Sequence, residues 1–175
     1  MVRVYIPATL AMLQRLVADR SMHALSGTAF AVTPTLREAY AEGDEDELAE
    51  VALREAALAS LRLLAAEGGA GAEDEGAGGG LPLRRAVLIA DVEGATLRPD
   101  LDDAVVRLAG PVGIDDVIAA YVDTASAEPL IAEAVEVVDL ADLGDEDAEL
   151  TVGDAQDHDL AWYAAQELPF LLELL

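Results

Sequence analysis

The chain has 175 residues, of which 53% are hydrophobic, and its 35 acidic and 10 basic side chains give a formal net charge of −25; that is enough apolar content for one domain with a core and excludes a fully disordered acidic chain. All ten basic residues are Arg, and Lys, Asn and Cys are absent, which excludes a Lys-bearing phosphate loop, a Schiff-base enzyme, a thiol nucleophile, a disulfide framework and a thiolate zinc site. The charge repels phosphate backbones and anionic headgroups, and the adjacent pair Arg84–Arg85 is too small a patch to reverse this, so neither nucleic acid nor a membrane is an expected partner.

In chain order, Val2 to Ile6 alternates as a short strand and is expected to stop at Pro7. Thr9 then caps a helix with Leu10, Leu13, Leu16 and Val17 at helical spacing. Thr28 to Thr33 is a second β-type run, and Pro34 suits the first turn of a helix capped by Thr33. Asp44 to Glu67 is the clearest helix, opened by the capping-box-like pair Asp44 and Glu47 and closed by Gly68-Gly69. Its apolar half holds Leu48, Ala52, Leu53, Ala56, Ala57, Leu63 and Leu64, while Glu50 and Arg54 on the charged half are placed for an i,i+4 pair. Val51 and Leu58, seven residues apart on that charged side, are expected either to be covered by loops or to meet a partner helix.

Residues 68–82 read as a flexible, Gly-rich acidic loop within a single domain spanning 1–175. Gly76, Gly78 and Gly80 give a nominal nucleotide-loop match, but they follow a helix rather than a strand, so the match is accidental. Beyond the loop, Arg85 to Val92 and Ala104 to Leu108 read as strands. Val117 to Asp123 is a strand with a helix from Asp115 as its competitor. Ala127 to Leu140 is a helix capped by Ser126, and Leu160 to Ala165 is a last strand. These elements predict an α/β fold, with α+β as the other open class: a two-layer sandwich of a mixed sheet and packed helices, ferredoxin-like, with a helical insertion. The N-terminus lacks the pattern of a signal peptide and no apolar tract reaches bilayer length, so a cytoplasmic location is expected.

Three places carry candidate chemistry. Val87 to Leu97 sets Asp91 at the end of an apolar strand, resembling the first motif of haloacid dehalogenase-like phosphatases, in which an Asp is the nucleophile and a second acid follows two residues later. Here Glu93 holds that second position, the phosphate-binding Lys is missing, Arg107 is the available substitute, and Asp102-Asp103 or Asp115-Asp116 are the acids left for Mg²⁺. The acidic run from Asp142 to Asp159 reads as a solvated loop, with Asp145, Asp147, Asp157 and Asp159 as candidate ligands for Mg²⁺ or Ca²⁺. No cofactor is otherwise implied. No serine stands in a nucleophile-elbow setting, and a Ser–His pair cannot be chosen from two histidines. The C-terminal run Leu168 to Leu175 carries bulky apolar groups up to the last residue, with Glu173 its one charge. It either docks into the chain's own core or, through Phe170, Leu171 and Leu174, completes a homodimer or partner surface.

Arg3 to Leu10, Gly27 to Pro34, Asp142 to Ala148 and Gln166 to Leu172 together resemble a family of uncharacterised actinobacterial proteins, and the Arg-rich, Lys-free composition is similar to that of proteins from high-GC genomes. The resemblance implies a domain of unknown function and no activity. The residues themselves favour a non-catalytic protein-interaction module, with Val51, Leu58, Phe170, Leu171 and Leu174 as its surface. The rival is a Mg²⁺-dependent phosphohydrolase centred on Asp91.

Overall fold

Strand β1 (Val2–Ala8) lies in the interior of a seven-stranded sheet in the computed structural model of the chain, which describes residues 1–71 and 81–175, side chains of Leu25 and 68–71 excepted. Of the Gly-rich loop expected at 68–82, residues 68–71 instead continue the preceding helix past the expected stop at Gly68-Gly69, and residues 72–80 lie outside the described residues. Pro7 does not end the strand; it stands opposite Val87 within it. The ladder between β1 and β3 (Thr28–Phe30) is confined to Tyr5 and Phe30, so one flank of β1 is already unpaired where the proline, which has no N–H, occurs.

The sheet order is β5-β6-β3-β1-β4-β8-β9, with β4 at Ala86–Val92, β5 at Thr96–Leu97, β6 at Val105–Arg107, β8 at Val117–Val122 and β9 at Ala161–Ala164. Every pairing is antiparallel, so the expected mixed sheet is corrected to an antiparallel one. A small separate ribbon joins β2 (Ser21–Met22) to β7 (Val112–Gly113). At 117–122 the strand prevails over the competing helix, which is reduced to one 3₁₀ turn at Ile114–Asp116.

The helices are α1 (Leu10–Asp19), α2 (Pro34–Ala39), α3 (Glu45–Gly71), α4 (Glu128–Asp142), α5 (Glu146–Gln156) and α6 (Leu168–Glu173). Thr9, Thr33 and Asp44 cap as their side chains predict, accepting from the N–H groups of Met12, Leu36 and Glu47. Ser126 does not cap α4; it lies in a 3₁₀ turn, with its hydroxyl against that of Thr124. The β3–α3–β4 connection places two strands of the same direction on either side of β1, the split unit of ferredoxin-like folds. The second such crossover is replaced, because β8 and β9 are neighbours and the α4–α5 hairpin joins them.

Helices cover both faces of the sheet, so the expected two layers become three. On one face Val4, Ile6, Ala8 and Leu88 meet Leu13 and Leu16 of α1 and Leu168 and Leu171 of α6. On the other, Tyr5, Val87 and Ile89 meet Leu36 of α2 and Leu48, Ala52 and Ala56 of α3. A third cluster joins Leu61 and Leu64 of α3 to Ile131 and Val138 of α4 and Val152 of α5. Ser60, fully buried on α3, donates to the Ala8 carbonyl (2.7 Å) and accepts from the Ala86 N–H (3.0 Å), pinning α3 to the ends of β1 and β4. Among the described residues no helix is long and apolar enough to cross a membrane.

Candidate functional site

Asp91, in β4 beside Arg3 of β1, accepts from that guanidinium at both carboxylate oxygens (3.2 and 3.4 Å). The same contact holds Arg3 more firmly protonated than a free arginine, through the hydrogen bond first and the charge second. Asp91 and Glu93 share a cleft of about 360 Å³ with Asp116, Pro111 and Met1. Asp116 is already engaged, accepting from the Gly113 N–H at 3.2 Å. Arg107, the proposed phosphate-binding substitute, is exposed on β6 and is not part of the cleft wall. It instead helps hold the carboxyl of Asp100 below its usual range, chiefly the work of a hydrogen bond from Arg98. The structure therefore brings together Asp91 and Glu93 but not Arg107, and Asp91 reaches the cleft already paired with Arg3.

The acidic segment is not a loop. Asp145 caps α5, accepting from the Ala148 N–H at 2.9 Å, and Glu146, Asp147 and Glu149 fill the helix's first turn, where carboxylates are favoured by the exposed N–H groups and the helix dipole. Gly144, at φ 94°, makes the left-handed turn that reverses the chain between α4 and α5. Asp157 and Asp159 lie at the far end of α5, roughly 16 Å away by helical rise. The four candidate metal ligands are thus separated into two pairs, and among the described residues no group of three His, Asp or Glu side chains is placed to hold a metal ion.

Of the proposed interaction surface, Val51 and Leu58 are half-buried by the chain itself, Val51 against the α3–sheet core and Leu58 against the α4–α5 cluster. Leu171 is buried with Leu168, so α6 docks on the core, while Phe170 and Leu174 remain 68% and 86% exposed. Arg54 lies against Asp157 (3.8 Å), rather than making its expected pair with Glu50.

Sequence reasoning missed a second site. Arg85 is 1% exposed, and its backbone N–H, Nε and Nη2 all donate to the fully buried Asp123 carboxylate at 2.8–2.9 Å. Nη1 reaches Gln156 and Nη2 also reaches the His158 carbonyl, so the pair ties β4 to the end of β8 and to the segment after α5. This network walls a cleft of about 310 Å³ with Glu50, Leu53, Tyr121 and Asp159. The available signal was positional: Arg85 immediately precedes one apolar strand and Asp123 immediately follows another. Ser126 and His158 also meet nearby, at 3.5 Å. The other imidazole nitrogen faces the Asp159 carbonyl rather than a carboxylate, so no triad forms.

A model of a family of unknown function, DUF6912, matches residues 2–172. The chain belongs to that family. No curated protein and no solved structure matches it. The DUF6912 match runs from β1 into α6 and so takes in the whole sheet, the acidic cleft beside Asp91 and the Arg85–Asp123 network. The resemblance carried by Arg3 to Leu10, Gly27 to Pro34, Asp142 to Ala148 and Gln166 to Leu172 led to a family of this kind. In the fold these segments are β1 with the α1 cap, β3 with the α2 cap, the α4–α5 turn, and α6.

Proposed function

We propose that this member of DUF6912 is a non-catalytic, cytoplasmic protein-interaction module of actinobacterial source, which meets a partner protein or a second copy through its C-terminal helix. The reading rests on α6: Leu168 and Leu171 anchor the helix, which leaves Phe170 and Leu174, four residues apart, together on its outer side. A Phe170→Ser/Leu174→Ser variant keeps both anchors, so it is expected to retain the melting temperature of the parent and to lose the association with a partner or second copy that sedimentation of the native chain is expected to show. Unchanged association in that variant removes α6 from the interface.

A second reading, a Mg²⁺-dependent phosphohydrolase, is favoured by one observation, the shared cleft of Asp91, Glu93 and Asp116. Against it stands the Arg3 guanidinium on the would-be nucleophile. Hydrolysis of 4-nitrophenyl phosphate with Mg²⁺, lost in Asp91→Asn at unchanged stability, would put this reading first.

A further inference from the structure

The sheet ends in a strand with an open outer edge. Beside the β4–β8 ladder, the Asp123 N–H donates to the Arg85 carbonyl (3.1 Å), so at alternate positions Asp123 and Tyr121 turn their backbone groups toward β4. Val122 and Ala120 therefore turn theirs toward β9, where they oppose Ala161 and Tyr163. By the same alternation Trp162 and Ala164 direct their N–H groups away from the sheet. Among the described residues neither N–H has a partner outside the ladder. Protein sheets blunt such edges with charges, proline or a bulge. Ala161-Trp162-Tyr163-Ala164 carries no charge and no proline, whereas the opposite edge, β5, is only two residues long.

Trp162, the one tryptophan of the chain, is 55% exposed and stands opposite Tyr121, which places it on the face that holds the 310 Å³ cleft. Charge selects the occupant of this edge. Asp157 and Asp159 precede β9, Glu167 follows it, and residues 108–175 contain 17 acidic and no basic side chains. Arg54 is engaged with Asp157. A second copy pairing antiparallel along β9 would bring the acidic entry of each strand, with Asp157 and Asp159, toward the exit of the other, which carries Glu167, like charge against like. A strand with Arg or Lys at alternate positions meets opposite charge instead, and a guanidinium can stack on the exposed indole.

We propose that the β9 edge takes up an extended, Arg- or Lys-rich segment of a partner protein by strand addition. The Trp162 N–H and C=O and the Ala164 N–H form the new ladder, and the Trp162 ring packs on a cationic side chain. The site rests on the reading of the chain as an interaction module, but it is separate from the Phe170–Leu174 surface.

Ala164 has φ −67° and ψ 154°, the backbone of a proline, and its N–H is one the native sheet does not use. Ala164→Pro therefore keeps the fold and removes an edge donor. The probe is a short synthetic peptide alternating Arg with Val, read by Trp162 fluorescence. The expected result is a saturable emission shift whose affinity falls with added salt and drops about tenfold in Ala164→Pro. A peptide with Glu in place of Arg gives no shift, and Phe170→Ser/Leu174→Ser binds the Arg peptide as the parent does. Absence of a shift, or equal affinity in Ala164→Pro, overturns the proposal. So does self-association of the parent that Ala164→Pro abolishes in sedimentation, which would make a second copy the occupant. If the Arg peptide fails while the Phe170/Leu174 variant loses its partner, strand addition falls and the module reading stands.

Discussion

Arg85 and Asp123 show how differently one type of contact counts inside and outside the protein. Their pair is 1% and 0% exposed, and the carboxylate takes three hydrogen bonds, so neither charge is left without a partner. Removing one charge from such a pair strands the other in a medium that solvates it poorly, at a cost of about 3–5 kcal/mol. The Arg3–Asp91 pair has side chains 57% and 36% exposed. Water and salt screen it, and pairs of that kind contribute about 0–1 kcal/mol. Asp123→Asn is therefore expected to lower the urea midpoint by the larger amount with the slope unchanged, and Asp91→Asn to move it barely at all. Equal shifts in the two variants would mean that Arg85 finds solvent or another acceptor once Asp123 is neutral.

At the scale of elements, local chemistry was readable where a side chain acts on its own backbone. The caps at Thr9, Thr33 and Asp44, the strand at 86–92 and the long α3 helix could all be read from neighbouring residues. What could not be read depends on contacts distant in sequence. Pro7 continues β1 because its flank toward β3 is unpaired, and the acidic run becomes α5 because Val152 and Ala155 pack on α3 and α4. Of the Asp91 site, the cleft shared with Glu93 was legible as a strand end, but the Arg3 that neutralises Asp91 lies 88 residues away in sequence. Glu55 is a further instance. Helical spacing puts it on the charged side of α3, yet it is half-buried, and burial, with the charge of Asp102 adding to it, pushes its carboxyl above the usual range. A raised acid pKa means that the folded chain holds this proton more tightly than the unfolded one. The stability due to Glu55 is then greatest below the ordinary carboxylate range of about 4.3 and is lost as pH rises toward the folded value. Glu55→Gln should raise the melting temperature at pH 7 and give no gain under acid conditions; a gain that persists in acid would trace to packing instead of charge.

Over the whole molecule, the charge of −25 is distributed unevenly: residues 1–107 hold 18 acids and all ten Arg, whereas residues 108–175 hold 17 acids and no base. The ion pairs that exist are mostly exposed, with Arg85–Asp123 the fully buried exception among the described residues. At least 25 acidic groups must therefore lack an Arg of their own, and their mutual repulsion is larger in the compact state than in the expanded one. Salt acts on both terms. It weakens exposed pairs that contribute little to begin with, and it screens a repulsion summed over many carboxylates, as the screening length contracts from about 30 Å at 0.01 M to about 3 Å at 1 M. The second effect dominates at this charge excess, so the melting temperature should climb with NaCl, most steeply at the low end where the screening length changes most. Binding of the Arg-rich probe at β9 should weaken over the same range, because attraction between opposite charges is screened by the same ions. A melting temperature that stays flat or falls between these salt concentrations would show that the acidic excess is already neutralised within the fold, and the charge argument for a basic occupant of the β9 edge would fall with it.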